Sequence, residues 1–553
     1  MKSERHNKNM LMIVVGLFAF LIVATPLYAA TEEQIEEAIE KGLAWLAEKQ
    51  NPDGSWTFVT CELDEFDNWV DECGRPCGGD VDCDAVAKTA LVVLKFETRA
   101  IELDLDPLGP EYEYADNVAA GLEFIVDHNN TIPIGPQPAG DPDGDGDGMG
   151  VFFRTCGFGH EIYQTGLAMT ALAASGHPEL YGDLLQDAVD YMAWGQVDFN
   201  CPPPSPDPEA CPTGTNRGGW CYSHNTCECT DNSNSGYATL GLGFAEAAPP
   251  YGFGLTVPQF VKDELSIWID TIQDDVDGDI DDGGSWYNPC WPFNPWVNIL
   301  KTGNLLYEMA LVGDTPETQR VKDAVDYIER HWNTPGGCGI GWRDHRQAMF
   351  AMMKGFEAQG IDEIEVGFID IDWFDEVSTH LVDTQDPCGF WPCDCWGSTI
   401  LSTAWAVLTL ERVVPEIAQE VPVDIKPTSC PNPLNVNTRG LLPVAILGTE
   451  DFDVAEIDVA TILIEGYALP LRWNYEDVAT PVEDWDECEC ITEGPDGYMD
   501  LTLKFKEQEI IEALGEVVDR EVLVITITGS LLDGSSIYGK DCVVILKNRR
   551  RNF

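Results

Sequence analysis

Basic residues are scarce in this chain. Lysine and arginine together number 31 against 96 aspartates and glutamates, which leaves a formal charge of -65. A surface of that sign repels a phosphate backbone, so nucleic acid is excluded as a partner. Long apolar runs are equally rare. One lies near the start, Leu11 to Val23, and no other segment is apolar enough to cross a bilayer. Three catalytic signatures are missing as well: a Gly-x-Ser-x-Gly elbow, a phosphate-binding glycine loop and a His-Glu-x-x-His helix. Calcium binding, a salt-rich habitat and plain solubility remain as readings of the acidic excess.

The one apolar run carries an address. Lys2, Arg5 and Lys8 precede it, Thr25-Pro26 breaks it, and Ala29-Ala30 places small residues where a signal peptidase cuts. Residues 1–30 read as a secretory signal peptide, with an uncleaved anchor as the alternative. The mature chain is then expected to be secreted or at the cell surface, with no membrane span. Nineteen cysteines in an exported chain point to disulfides. The number is odd, so one thiol stays free or pairs between chains. Pairing should be local and should not link two domains. Cys61, Cys73, Cys77 and Cys83 cluster, but their spacing fits no zinc finger or ribbon, so zinc is not expected.

What is present in quantity is repetition. Gln50-Asn51-Pro52-Asp53-Gly54-Ser55-Trp56 returns as Gln385-Asp386-Pro387-Cys388-Gly389-Phe390-Trp391, and more loosely around Trp286 and Trp342. Each copy follows an amphipathic helical run and precedes a small-residue apolar one. Thr31 and Gln34 form a capping box for the first helix, which carries an apolar stripe from Ile35 to Leu46. Further amphipathic runs fall at 117–126, 185–194, 260–272, 321–332 and 373–382. Apolar, Ala/Gly-rich runs fall at 84–96, 163–175, 236–247, 299–312, 348–359 and 400–413. An apolar helix must be buried all round, while an amphipathic one can face water. Six inner helices ringed by six outer ones satisfy both, which predicts an (α/α)6 toroid over 31–415. No strand is expected inside it, and Trp56, Trp286, Trp342 and Trp391 should fill equivalent corners. After Pro415 the period becomes two. Val421–Lys426, Leu441–Leu447, Thr461–Ile464, Leu523–Thr528 and Asp541–Leu546 read as strands around one short helix near 508–514. The fold class is multidomain, α then β, with a β-sandwich-like domain at 421–547 and a basic tail at 548–553.

The Gln-x-x-x-Gly-Ser-Trp spacing, the helix alternation and the stretch from Gly219-Trp220-Cys221-Tyr222 through Asp231 to Leu242 resemble the prenyltransferase and squalene-cyclase repeat superfamily, most closely its secreted microbial branch. The resemblance covers Thr31 to Pro415 and speaks to fold more than to chemistry. It implies that reactive groups sit where inner helices begin, on one rim of the central cavity. On this chain those starts carry Asp84, His160, Tyr163, Asp231, Asn234, Trp296, Asp344, His345, Asp394 and Trp396. His160, Asp231, Asp344, His345 and Asp394 are the catalytic candidates. Tyr163, Asn234, Trp296 and Trp396 are the ligand-binding ones. Asp and Asn at such positions also serve as simple caps. The family's cyclases use an Asp-x-Asp-Asp acid. Asp279-Ile280-Asp281-Asp282 spells it, but in a glycine-flanked turn, too wet to keep a carboxyl protonated. Its prenyltransferases use zinc held by Asp, Cys and His, and here the spacing departs from theirs. The thioester quartet Cys-Gly-Glu-Gln of a related toroid is absent.

Two runs alternate aspartate with turn residues: Asp143, Asp145 and Asp147, then Asp275, Asp277, Asp279 and Asp281. Such spacing can converge oxygens on calcium. Neither run is a full EF-hand, because Phe152 and Trp286 stand where the closing glutamate would be. Asp496 to Asp500 is a weaker case. The favoured function is an extracellular protein binding a ligand or cell-surface component in or on the toroid, without cyclase or prenyltransferase activity. An extracellular enzyme acting on a polysaccharide or other surface polymer is the alternative, and a terpenoid cyclase-like enzyme stands last.

Overall fold

The computed structural model describes residues 29–57, 62–63, 69–70, 82–157, 159–198, 216–224, 229–276, 278–289, 296–415, 419–427, 429–437, 439–449, 452–465, 467–482, 491, 493–514, 517–532 and 536–547. Residues 1–28 of the expected signal peptide, the basic tail, Cys61, Cys73, Cys77 and Asp277 lie outside them.

Helices dominate the first part of the chain. Amphipathic α1 (Glu32–Glu48), α3 (Ala115–Asp127), α5 (Pro178–Gly195), α7 (Gln259–Ile272), α9 (Gln319–His331) and α11 (Trp373–Thr384) alternate with apolar α2 (Ala85–Glu102), α4 (Glu161–Ala174), α6 (Asn232–Glu246), α8 (Ile299–Leu311), α10 (Arg346–Gln359) and α12 (Thr399–Glu411). Burial separates the two sets. Every residue of α2 from Ala85 to Ala100 is buried, whereas α9 buries only Val321, Ala324, Tyr327, Ile328 and His331 on one stripe. The apolar helices pack in sequence, α2 on α4, then α6, α8, α10 and α12, and α12 packs back on α2. Thr31 caps α1 with the expected box.

The repeated motif explains how neighbours are joined. Gln50, just past α1, donates to its own loop at Gly54 O and to Asn117 O of α3. Gln196 does the same to Gly218 O and Val261 O of α7, and Gln273 to Gly283 O and Arg320 O of α9. Gln385 donates to Gly389 O and to Ala38 O, which ties α11 to α1. One amide thus satisfies two carbonyls and staples consecutive outer helices. The glycines are obligatory for two reasons. Gly54, Gly218, Gly283 and Gly389 all have positive φ, and a Cβ on any of them would come within 2.0–2.4 Å of a carbonyl oxygen on the next outer helix. The tryptophan finishes the corner. Trp56, Trp220 and Trp391 are buried, and each donates its indole N–H to a carbonyl of the preceding outer helix, at Leu46, Met192 and Leu381. These carbonyls lie in the last turn, where the α-helical ladder supplies no donor, so the indole adds to whatever the cap provides. Trp286 uses Asp274 instead, and Trp342 packs on Trp332 at the end of α9.

The helical part is not free of strands, contrary to expectation. Among the described residues, three short ribbons lie on its connections: β1 (Glu62–Leu63) with β2 (Trp69–Val70), β3 (Asn129–Pro133) with β4 (Met149–Phe153), and β5 (Glu363–Glu365) with β6 (Asp370–Asp372). Such connections are long enough to fold back and pair their own backbone groups. They interrupt no helix. Beyond α12 the chain turns to strands. A four-stranded antiparallel sheet has the order β12 (Arg472–Glu476), β13 (Asp500–Lys506), β10 (Leu441–Ile446), β8 (Val423–Ile425). A second sheet runs β11 (Ile457–Ile464), β14 (Val522–Leu531), β15 (Ser536–Leu546), β7 (Gln419–Glu420), and β9 (Pro433–Asn435) also pairs with β15. Side chains from both sheets, including Val444, Leu503, Ile525 and Val543, enter one core, beside α13 (Glu507–Leu514).

One buried acid in α2 carries a pH prediction. Glu97 is fully buried and neither carboxylate oxygen has a partner, so burial pushes its pKa well above the ordinary value. Unfolded, the same carboxyl loses its proton above about pH 4.5. Between that pH and the raised folded pKa the unfolded state binds fewer protons, so stability falls as pH rises. Glu97→Gln should therefore raise the melting temperature at pH 7, with the gain vanishing by pH 4. Equal gains at both pH values would show that the proton is not the cause.

Candidate functional site

The inner helices from α2 to α10 begin on one rim because each of their starts is tied to the loop that leads to the next. The amide of Val86 donates to Thr155 Oγ1, that of Ile162 to Tyr222 O, and that of Asn232 to Tyr287 O. Ile299 continues the chain to Ile340 O, and Arg346 to Asp394 Oδ2. First-turn amides have no partner within their own helix, so the neighbouring loop supplies one. Disulfides pin the same loops. Cys83 bonds Cys156, Cys221 bonds Cys229 and Cys338 bonds Cys395. Their cysteines adjoin Asp84, Tyr222 and Trp396. Pairing is less local than expected: Cys83 reaches a residue 73 positions away, outside the cysteine group that could have bound zinc. Cys388 is free and exposed.

Aromatic rings form a row across this rim. Tyr163 of α4 meets Tyr222 edge-on at 6.4 Å, and the Tyr222 and Tyr287 hydroxyls lie 3.4 Å apart. Tyr287 meets Trp296 at 5.7 Å, and Trp296 meets Trp396 at 6.2 Å. Trp296 is 39% exposed and Trp396 53%. Lys301 lies beneath, buried, with its ammonium 3.6 Å from the Trp296 ring centre. Burial lowers its pKa to about 7. At the α4 end of the row, Asp84 Oδ1 accepts from the Tyr163 hydroxyl and from His160 Nδ1, the latter at 3.0 Å. That hydrogen bond, against some loss of solvation, raises the His160 pKa. Burial alone would raise Asp84, but its bonds to His160 and Tyr163 hold it below the usual range. His160 stands at φ 67°, which turns its ring toward Tyr222, 4.8 Å away.

The other candidates take different places. Asp231 is buried and caps α6 through the Ser233 and Asn234 amides, while Asn234 donates back to its Oδ2. His345 is buried with both ring nitrogens unpartnered, and burial lowers its pKa to about 4, so it is neutral. Asp344 faces outward to His380 of α11 at 3.2 Å. Asp394 bridges, accepting from the Arg346 and Gly397 amides. Below the rim, α10 reaches across to α6: Gln347 donates to the Tyr237 hydroxyl and Lys354 to Gly236 O. Tyr222, Tyr287 and Lys301 escaped the sequence reading. Two of them carry a signal, since Tyr222 follows the corner tryptophan by two residues and Tyr287 by one.

Of the acidic runs, Asp143, Asp145 and Asp147 gather their carboxylates. Asp275, Asp279 and Asp281 form no three-acid group among the described residues. Asp279 instead accepts from the amides of Asp281 and Asp282, within a self-capped turn. Asp500 is buried and accepts from the amides of Gly448, Val478 and Ala479.

No family model matches the chain, and no curated protein matches it. Among solved structures it is similar to the type II terpene cyclase MstE from Scytonema, at 15% identity over 68% of this chain and 98% of that one, with a TM-score of 0.35. It is also similar to a D-mannose isomerase, at 11% identity over 69% and 98%, with a TM-score of 0.42. A glycosidase matches at 10% identity over 69% and 97%, with a TM-score of 0.27.

Proposed function

We infer that this is an extracellular ligand-binding protein, an (α/α)6 toroid of the prenyltransferase and squalene-cyclase repeat type followed by a β-sandwich-like domain, and that its rim takes a carbohydrate. The closed packing order of α2, α4, α6, α8, α10 and α12 supports the toroid. The disulfides support an oxidising compartment. The observation that carries the ligand class is the aromatic row ending in exposed Trp296 and Trp396. Large exposed rings cost solvation unless something covers them. The negative face of an indole suits the weakly positive C–H face of a sugar ring, and tyrosine hydroxyls suit its hydroxyls. Disulfides beside three rim residues hold the row in place before binding, which lowers the ordering cost.

Asp84, His160 and Tyr163 favour one second reading, hydrolysis of the bound sugar polymer, since a half-exposed His–Asp pair can move protons. Cyclase chemistry has less support, because Asp279 and Ile280 are exposed and Asp279 is occupied by its own turn. The test is glycan-array and calorimetric binding with Trp296→Ala and Trp396→Ala. Each should weaken binding at least tenfold and move the melting temperature by less than about 2 °C, as expected for partly exposed side chains. Unchanged binding in the double variant would end the proposal. Product release that disappears in Asp84→Asn would favour the enzyme.

A further inference from the structure

The acidic run between β3 and β4 lacks its closing glutamate, with Phe152 in that place. The fold brings other acids to it. Asp187 and Asp190 lie three residues apart on α5, on the side that faces this connection. Ligand oxygens of Asp143, Asp145 and Asp147 lie within 4.8 Å of one another, and so do those of Asp145, Asp187 and Asp190. Asp145 belongs to both groups. The loop backbone is seated on the helix, since a Cβ on Gly144 would stand 2.8 Å from Gln186 Nε2 and 3.1 Å from Asp190 Oδ1.

A second observation is independent of the clustering. Asp190 is fully buried, Gln186 donates to its Oδ1, and its Oδ2 has no partner. An unpaired buried carboxylate oxygen is costly, and such groups in folded proteins point to an unseen ion or water. The surrounding charges make matters worse. Asp187 stands among the carboxylates of Asp147, Asp145, Asp183 and Asp143, with no cation to balance them. A cation resolves both problems at once.

We propose that Asp143, Asp145 and Asp147 of the β3–β4 connection, together with Asp187 and Asp190 of α5, hold a hard divalent cation, calcium foremost. The donors are all carboxylate oxygens, with no histidine or thiolate, which disfavours zinc. Calcium accepts six to eight oxygens in flexible geometry, whereas magnesium demands a regular octahedron and keeps its water. Asp143 already accepts from the Gly146 and Gly148 amides, yet a carboxylate has about four acceptor positions, so it can bind an ion as well. α5 supplies what the loop lacks at its twelfth position. The ion fastens the ribbon that precedes Cys156 and His160 onto an outer helix.

The test uses the full chain, stripped with chelator at fixed ionic strength. Titrated calcium should bind with defined stoichiometry and raise the melting temperature, and magnesium should do so at least tenfold less effectively. Asp145→Asn sits on an exposed loop and should fold normally, yet lose the calcium response. Asp190→Asn should weaken calcium affinity at least tenfold while the ion-free melting temperature holds or rises. Asp275→Asn, in the other acidic run, should keep the wild-type response. Shifts matched by sodium at equal ionic strength, or a full response in Asp145→Asn and Asp190→Asn, would overturn the site.

Discussion

Trp391→Ala should lower the stability of the helical region by about 3–5 kcal/mol, the usual cost of truncating a buried tryptophan. The residue is fully buried where three helices meet. Its indole N–H satisfies Leu381 O of α11, its backbone amide donates to Thr403 Oγ1 of α12, and its ring edge packs against Gly42 of α1. Alanine removes the ring and the indole donor to Leu381 O together, so about 1 kcal/mol of the loss belongs to the hydrogen bond. Trp391→Phe keeps most of the packing and should cost less than half as much. Calorimetric melting of the two variants measures the difference, with a fall of roughly 4–6 °C expected for alanine in a unit of this size. A fall under 2 °C would mean that the corner does not hold the seam between α11 and α1.

Removing the Cys83–Cys156 bond should be the next most damaging change. It closes a span of 73 residues, against 57 for Cys338–Cys395 and 8 for Cys221–Cys229. Loop-closure entropy then assigns roughly 4 kcal/mol to the longest of these three bridges and roughly 2.5 to the shortest of them. Paired Cys→Ser variants should melt in that order. The Cys83/Cys156 pair should also lose rim binding more than its stability loss explains, because Asp84 and the segment leading to His160 are no longer fixed to each other. Equal melting temperatures in the three variants would remove the entropic account.

The corners were legible because the motif is local. Gln50, Gly54 and Trp56 lie within seven residues, so their spacing alone gives the turn. Two other copies are stretched by insertions. Gln196 stands far from Gly218 and Trp220, and Gln273 is separated from Gly283 by the acidic run, so nothing in the sequence joins each glutamine to its glycine. The carboxylates of α5 were invisible for the same reason, since a helix face says nothing about which loop will cover it. Lys301 looked like one more residue of an inner helix, and only the fold sets it under Trp296. In the strand-rich part, β12 escaped because Arg472, Trp473 and Asn474 are all exposed and no apolar alternation marks them. His345 and Asp344 show the opposite case. Both stand at a helix start, yet one is buried and neutral and the other turns to an outer helix, because backbone direction at a cap is decided by neighbours not visible in the local string.

The staple from Gln385 to Ala38 joins residues 347 positions apart. An open stack of repeats can grow by adding one unit to the last. A closed one has a first helix whose apolar stripe waits for the final pair. At roughly 5–20 residues per second of synthesis, that wait is roughly 17–70 s. During it the stripe of α1 is bare, and so is the flank of the pair made last, so one unfinished molecule offers its exposed flank to the α1 of any neighbour in the same condition. Concentration during biogenesis, more than heat, is then the hazard that this closure imposes.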